Sequence, residues 1–230
     1  MTEDGKPRRT IRSYVRREGR MTKAQQRALK ELWPRYGVNN DDTPLDYVAV
    51  FGRDAPVIVE IGFGNGDALY DMAGTHPENN YLGIEVHRPG VGSLLRKLES
   101  GGLENVRVLV ADAKDVLTKR IPDSSLAAAH LFFPDPWPKK RHHKRRLLQA
   151  DFAELVRIKL SLGGYFAIAT DWEDYAGHIL EVMSQIDGFE NTAGPGGYAQ
   201  RPAFRPLTRF EQRGIKCGHH VRDLIFTRTA

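Results

Sequence analysis

From Val57 onward, short apolar runs rich in β-branched residues alternate with longer stretches whose apolar positions recur at helical spacing. The runs at 57–61, 81–86, 106–110, 126–133 and 164–169 read as strands. Helices are predicted near 67–75, 89–100, 113–118, 144–160 and 173–186. The fourth of these carries Leu147, Leu148, Phe152, Leu155, Val156 and Leu160 along one face. Nearly continuous apolar strands alternating with helices imply an α/β fold, a parallel sheet covered on both faces. The end of the chain differs. Residues 189–190 and 221–228 read as two strands without a full helix between them, which predicts a seven-stranded, mostly parallel sheet with an antiparallel final strand.

Upstream of the first strand the pattern is weaker. Thr22-Lys23-Ala24-Gln25 has the form of a capping box, and Ala24, Ala28, Leu29 and Leu32 follow at helical spacing until Trp33-Pro34 ends the run. Residues 35–55 read as a loop with at most a short helix, and residues 1 to about 20 as a flexible arm. The organisation expected is a basic arm with a short helix over 1–34, then one domain over 35–230.

Charge sharpens that division. The net charge is +5, yet residues 1–30 alone carry ten Lys/Arg against Glu3, Asp4 and Glu18. A second basic run, Lys139-Lys140-Arg141-His142-His143-Lys144-Arg145-Arg146, stands in an otherwise near-neutral body. Either segment alone reads equally well as a solvated face, but two concentrated basic segments suggest a polyanion held at defined places. No apolar run approaches the ~20 residues needed to span a bilayer, and the first thirty residues hold no apolar stretch suited to a signal peptide. With one cysteine, Cys217, an internal disulfide is impossible, and a reducing cytoplasm is the expected compartment.

The first strand runs into Glu60-Ile61-Gly62-Phe63-Gly64-Asn65-Gly66. Such a glycine loop lets the backbone turn tightly beside a ligand, and by itself it serves NAD, FAD and S-adenosylmethionine alike. Its G-x-G-x-G spacing, and the acids Glu60, Glu85 and Asp112 at three successive strand ends, favour S-adenosylmethionine. That molecule presents an ammonium, ribose hydroxyls and an adenine amino group, which carboxylates satisfy, and no pyrophosphate. Asp112 reads also as a helix cap. The antiparallel final strand points the same way, to a Rossmann-like class I methyltransferase sheet.

At the end of the fourth strand stands Phe132-Phe133-Pro134-Asp135-Pro136-Trp137-Pro138-Lys139. Open α/β sheets bind ligands at that edge. Two prolines bracket a carboxylate that can accept from a base's amino and imino edge, and Trp137 can stack on a ring or pack in the core. The stretch FFPDPWPKKRHHKRR resembles the signature of the bacterial tRNA (guanine-N(7)-)-methyltransferase family. The resemblance extends to 12–20, Trp33-Pro34, Ala169-Thr170-Asp171-Trp172 and Pro206-Leu207-Thr208-Arg209-Phe210-Glu211, and so covers nearly the whole chain. It implies methyl transfer to N(7) of guanosine 46 in the tRNA variable loop, leaving S-adenosylhomocysteine. It also implies cofactor contacts from Glu60, Glu85, Asp112 and Asp135, with the loop glycines Gly62, Gly64 and Gly66 beside them and Asp135 the catalytic aspartate. Lys139, Asp171, Thr208, Arg209, Phe210 and Glu211 would bind the guanosine. Arg141, His142, His143, Lys144, Arg145 and Arg146 would contact RNA, the last three beginning the helix after the Asp135 loop.

Guanine N(7) carries a lone pair and no proton, so in-line attack on a sulfonium methyl needs no base, and Asp135 is expected to orient and stabilise charge. No metal is expected: His142-His143 and Cys217-Gly218-His219-His220 lack a second cluster at ligand spacing. No membrane contact and no obligate protein partner are evident, and a monomer or a homodimer is compatible with the sequence. Three other readings fit less well. A nicotinamide oxidoreductase wants G-x-G-x-x-G; a non-catalytic RNA binder has no use for four intact acids; an amino-group methyltransferase usually carries adjacent prolines after its Asn or Asp.

Overall fold

The computed structural model describes residues 13–14 and 20–230, and the Arg209 side chain lies outside that description. Of the flexible arm expected at the N-terminus, all but Ser13, Tyr14 and Arg20 therefore falls outside the described residues, Arg12, Arg16 and Arg17 included. In chain order the elements are α1 (Lys23–Glu31), α2 (Trp33–Tyr36), α3 (Tyr47–Phe51), β1 (Val57–Ile61), α4 (Asp67–Thr75), β2 (Asn80–Glu85) and α5 (Arg88–Gly101). They continue with β3 (Val106–Val110), α6 (Ala113–Lys119), β4 (Leu126–Phe132), a 3-10 turn (Lys140–Arg145), α7 (Ala150–Lys159) and β5 (Leu160–Thr170). Last come α8 (Glu173–Met183), β6 (Phe189–Asn191), α9 (Arg209–Lys216) and β7 (Arg222–Arg228).

The seven strands lie in the order β3-β2-β1-β4-β5-β7-β6. The first five are parallel, and β7 runs antiparallel to both β5 and β6. Strand order reverses between β1 and β4, so a crevice opens at their carboxyl ends. Strand alternation divides the core between the two faces of the sheet. Val57, Val59 and Ile61 face one cluster with Leu82, Ile84, Phe152 and Tyr175; Ile58 faces another with Leu69, Leu94, Leu95 and Leu98. Glu60 occupies the next position on the second face, where an apolar residue belongs.

The capping box at Thr22 forms as the sequence predicts: Gln25 N donates to Thr22 Oγ1 and Thr22 N to Gln25 Oε1. Gln25 Nε2 also donates to Pro89 O and Ser93 Oγ, each at 3.0 Å, which docks α1 onto α5. Beyond Trp33-Pro34 the chain takes one more helical turn, with Pro34 in the first turn, where its missing N–H costs nothing.

Two expectations are corrected. The predicted helix over 144–160 is two elements, the 3-10 turn and then α7 starting at Ala150. Neighbouring cations along 139–146 repel at helical spacing; the backbone leaves helical geometry at Arg146 and is extended at Gln149, and Leu148 between them is in the core. The ending also contains a full helix, α9, between β6 and β7. It carries no continuous apolar stripe, so periodicity does not reveal it. The legible signal is Thr208-x-x-Glu211, and Thr208 Oγ1 does accept from Glu211 N at 3.2 Å. No helix among the described residues is long and apolar enough to cross a membrane.

Candidate active site

The glycine loop after β1 has three residues in left-handed backbone, Gly62 (φ 72°), Gly64 (φ 57°) and Gly66 (φ 72°), which side chains rarely adopt. From the other side α5 presses Gly90 so closely that a Cβ there would lie 2.1 Å from Gly64 O. Loop and helix are thus set against each other without room for movement.

Glu85 closes this arrangement. Its Oε2 accepts from Gly64 N at 2.8 Å, and its Oε1 accepts from Val86 N at 2.6 Å and His87 N at 2.8 Å. The carboxylate ties the loop to the end of β2 while lining a cavity of about 210 Å³. Asp112 lines the same cavity and caps α6, its Oδ1 accepting from Lys114 N at 2.9 Å. Both readings of Asp112 in the sequence are therefore compatible with its position. Asp135, Gly62, Phe133, Leu131 and Leu147 line the same cavity.

Glu60 differs from the other acids. It is 3% exposed, and its Oε2 has no hydrogen-bond partner among the described residues. Burial, reinforced by the charge of Glu85, pushes its carboxyl up to about 8. Its register partner on β4 is His130, buried and stacked between Phe132 and Phe204. Burial holds His130 down to about 3, so it is neutral and provides no counter-charge. Glu60 lines a second lobe of about 450 Å³, and a buried carboxyl without a partner there has the chemistry that an external cation, such as the ammonium of S-adenosylmethionine, would satisfy. The residues present fit that cofactor.

The loop after β4 carries strain. Phe133 (φ 52°) and Trp137 (φ 47°) lie in the left-handed region without being glycine. Phe133 is held by its N–H to Ala169 O at 2.7 Å, and its ring meets Phe210 at 5.1 Å. Trp137 is enclosed: Nε1 donates to Ser13 O at 3.1 Å, Arg145 lies 5.0 Å over the ring, and His142 meets it edge-on. Ser13 and Tyr14 consequently lie along the first cavity, a contact sequence reasoning does not anticipate.

The remaining sequence-predicted residues divide. Thr208 and Phe210 line the second lobe with Glu60, Gly62 and Gly64. Gly66 instead caps α4 and packs toward Leu94. Asp171 lines neither lobe; it follows β5, its Oδ2 paired with His219 Nδ1 at 3.0 Å. Lys139, Lys140, Arg141 and Lys144 are exposed around the 3-10 turn, with His142 and His143 partly covered. Two predicted contact residues face inward. Arg146 is buried, donating to Pro136 O at 3.0 Å, pairing with Asp174 and stacking on Tyr175. Glu211 is buried on Arg205, whose guanidinium forks to Glu211 (2.6 and 3.0 Å) and Asp223 (2.6 and 2.9 Å) and lies over Phe132 and Phe133. Sequence reasoning misses Arg205 because its partners lie six and eighteen residues away. Among the described residues no cluster of His, Cys, Asp and Glu is arranged to hold a metal ion.

Comparison with known proteins bears on the fold and the family. A sequence profile for the family described as "Putative methyltransferase" matches residues 54–224. The chain is 57% identical over 226 residues to the tRNA (guanine-N(7)-)-methyltransferase of Aeromonas hydrophila subsp. hydrophila, covering 98% of this chain and 95% of that one. It is 56% identical over 220 residues to the enzyme of the same name from Hydrogenovibrio crunogenus, covering 96% and 92%. Among solved structures, the 16S rRNA methyltransferase KamB superposes with a TM-score of 0.59 at 16% identity, covering 85% of this chain and 99% of KamB. An rRNA methylase from Streptococcus thermophilus superposes at 0.52 and 16%, covering 77% and 89%. At that identity the superpositions bear on the fold, and they match the seven-stranded sheet. The full-length kinship decides the family: the chain belongs to the bacterial tRNA (guanine-N(7)-)-methyltransferases.

Proposed function

We propose that this enzyme transfers a methyl group from S-adenosylmethionine to N(7) of guanosine 46 in the variable loop of tRNA. The observation that carries the reading is one sheet edge where Glu60, Glu85, Asp112 and Asp135 surround two adjoining lobes beside the exposed cations of 139–144. Near-60% identity to tRNA (guanine-N(7)-)-methyltransferases supports the substrate. The basic arm over 1–34 and the domain over 35–230 are proposed to act together on the RNA in the cytoplasm.

When bound, S-adenosylmethionine supplies an electrophilic sulfonium methyl. Glu60 would hold its ammonium, and Glu85 and Asp112 its ribose and adenine. Asp135 orients the guanine and offsets the positive charge that grows on the ring as N(7) is alkylated. No residue has to remove a proton, because N(7) has none, so the enzyme's work is positioning. Phe133 and Phe210 provide flat apolar surface for the base. N(7) of a paired guanosine lies in the deep, narrow major groove of A-form RNA, so the base must be drawn out, at a cost that cationic contacts to the backbone offset.

The test is transfer of labelled methyl from S-adenosylmethionine to tRNA lacking the modification, with the modified nucleoside identified and mapped. Label is expected as 7-methylguanosine at position 46; label in an exocyclic amine, or none, overturns the reading. Asp135→Asn should lower kcat by about a hundredfold. Full activity in that variant would refute the charge-stabilising role.

A further inference from the structure

Helix α9 is held in one orientation from beneath. Its Thr208 cap and the buried fork of Arg205 onto Glu211 and Asp223 fix which residues face the site. Three positions apart on the outward side stand Phe210 and Arg213, and both line the lobe that contains Glu60, Gly64 and Phe133. Phe210 meets Phe133 there. Arg213 is exposed and its side chain makes no hydrogen bond or ion pair among the described residues, although Glu60 and Asp67 line the same lobe. The segment that carries it is basic: 212–222 contains Arg213, Lys216, Arg222, His219 and His220 and no acid.

Resting on the functional reading above, we infer that Arg213 binds a phosphodiester of the RNA next to the target guanosine. A guanine lying against Phe133 and Phe210 has its phosphates one ribose away, on the side where Arg213 stands. A guanidinium suits that group, since its planar fork matches two phosphate oxygens at once. The cations of 139–144 follow β4 and Arg213 lies over the glycine loop, so the backbone is gripped on both sides of the flipped base. The other anion within reach is the carboxylate of the cofactor's amino-acid end. Exposure of Arg213 at the outer wall, against the burial of Glu60, favours the RNA.

The experiment compares the parent protein with Arg213→Ala and Arg213→Lys, measuring KM for tRNA at several salt concentrations and Kd for S-adenosylhomocysteine. Arg213→Ala should raise KM for tRNA roughly tenfold to a hundredfold, the range for removal of a charged hydrogen bond. The dependence of log KM on log salt should become shallower by about 0.7–0.9, the change expected when one fewer phosphate is neutralised. Kd for S-adenosylhomocysteine should stay within about twofold, and Arg213→Lys should fall between, keeping the charge without the fork. A weakening of S-adenosylhomocysteine affinity that matches the rise in KM would assign Arg213 to the cofactor carboxylate and overturn the inference. Unchanged KM and salt dependence would overturn it too. If the parent transfers no methyl to tRNA guanosine, the functional reading falls and this inference with it; a failure confined to the variants leaves that reading standing.

Discussion

Glu60 is the place where the ligand-free enzyme is most clearly built against its own stability. Its carboxyl ordinarily titrates at 4.5 and in the fold is pushed up to about 8. That difference corresponds to about 5 kcal/mol between the protonated and ionised forms. The sign follows from linkage. A folded-state value above the unfolded one gives stability that is fully present below pH 4.5 and lost as pH rises through about 8. Glu60→Gln keeps the shape of the protonated acid and removes the titration. The ligand-free variant should therefore exceed the parent in stability by less than about 1 kcal/mol at pH 5, about 2 at pH 6 and about 4 at pH 8. For a chain of this size each kcal/mol moves Tm by roughly 2–4 °C, so the gap should widen by several degrees between pH 5 and pH 8. Thermal melts of both proteins across that range, at constant ionic strength, make the comparison. A gap that stays constant or narrows with pH refutes the account of Glu60. The same carboxyl should ionise when an ammonium arrives. At pH 7 about nine in ten free molecules carry its proton, so S-adenosylhomocysteine binding should release close to one proton, measurable by calorimetry in two buffers of different ionisation enthalpy.

Three further outcomes are expected. Arg205→Met leaves Glu211 and Asp223 buried without their counter-ion and should cost about 3–5 kcal/mol, read as a drop in Tm; a change below about 1 kcal/mol would show that the fork contributes little. Removal of residues 1–20 should weaken S-adenosylhomocysteine binding as well as tRNA binding, roughly fivefold or more for the former, because Ser13 and Tyr14 line the first cavity. Unchanged S-adenosylhomocysteine affinity would show that the arm does not support the cavity. Gly90→Ala forces Gly64 and its loop aside, since the new Cβ would stand 2.1 Å from Gly64 O. Affinity for S-adenosylhomocysteine should fall at least about tenfold, and parental affinity would show that the loop yields at little cost.

What could be read from the sequence depends on the range of the interaction. The strands were legible because each is a short apolar run whose burial follows from local composition, and the order of elements then places the acids at strand ends beside the crevice. Glu60, Glu85 and Asp112 could be located in this way, as could Thr22 with Gln25, whose capping contact spans three residues. The condition of those acids was not legible. Glu85 is engaged by three backbone amides and the buried Oε2 of Glu60 by no partner among the described residues. That contrast depends on where the loop folds back and on the neutral His130 across the sheet.

Charge shows the limit most sharply. In the sequence the eight residues of 139–146 form one uniform basic run, yet Arg146 is neutralised from within by Asp174, twenty-eight residues downstream. Arg205 and Arg213 look equivalent on either side of the Thr208–Glu211 segment, yet one is enclosed by two carboxylates and the other faces the site without an ion pair among the described residues. A count of cations gives only the sign of a partner. Its position follows from which cations the fold has already paired, and that pairing is decided by tertiary contacts between segments distant in the chain. Among the cations without an ion pair in the described residues, Arg213 lines the lobe that holds Glu60, and Lys139, Lys140, Arg141 and Lys144 follow the Asp135 loop; the proposed RNA path rests on that placement.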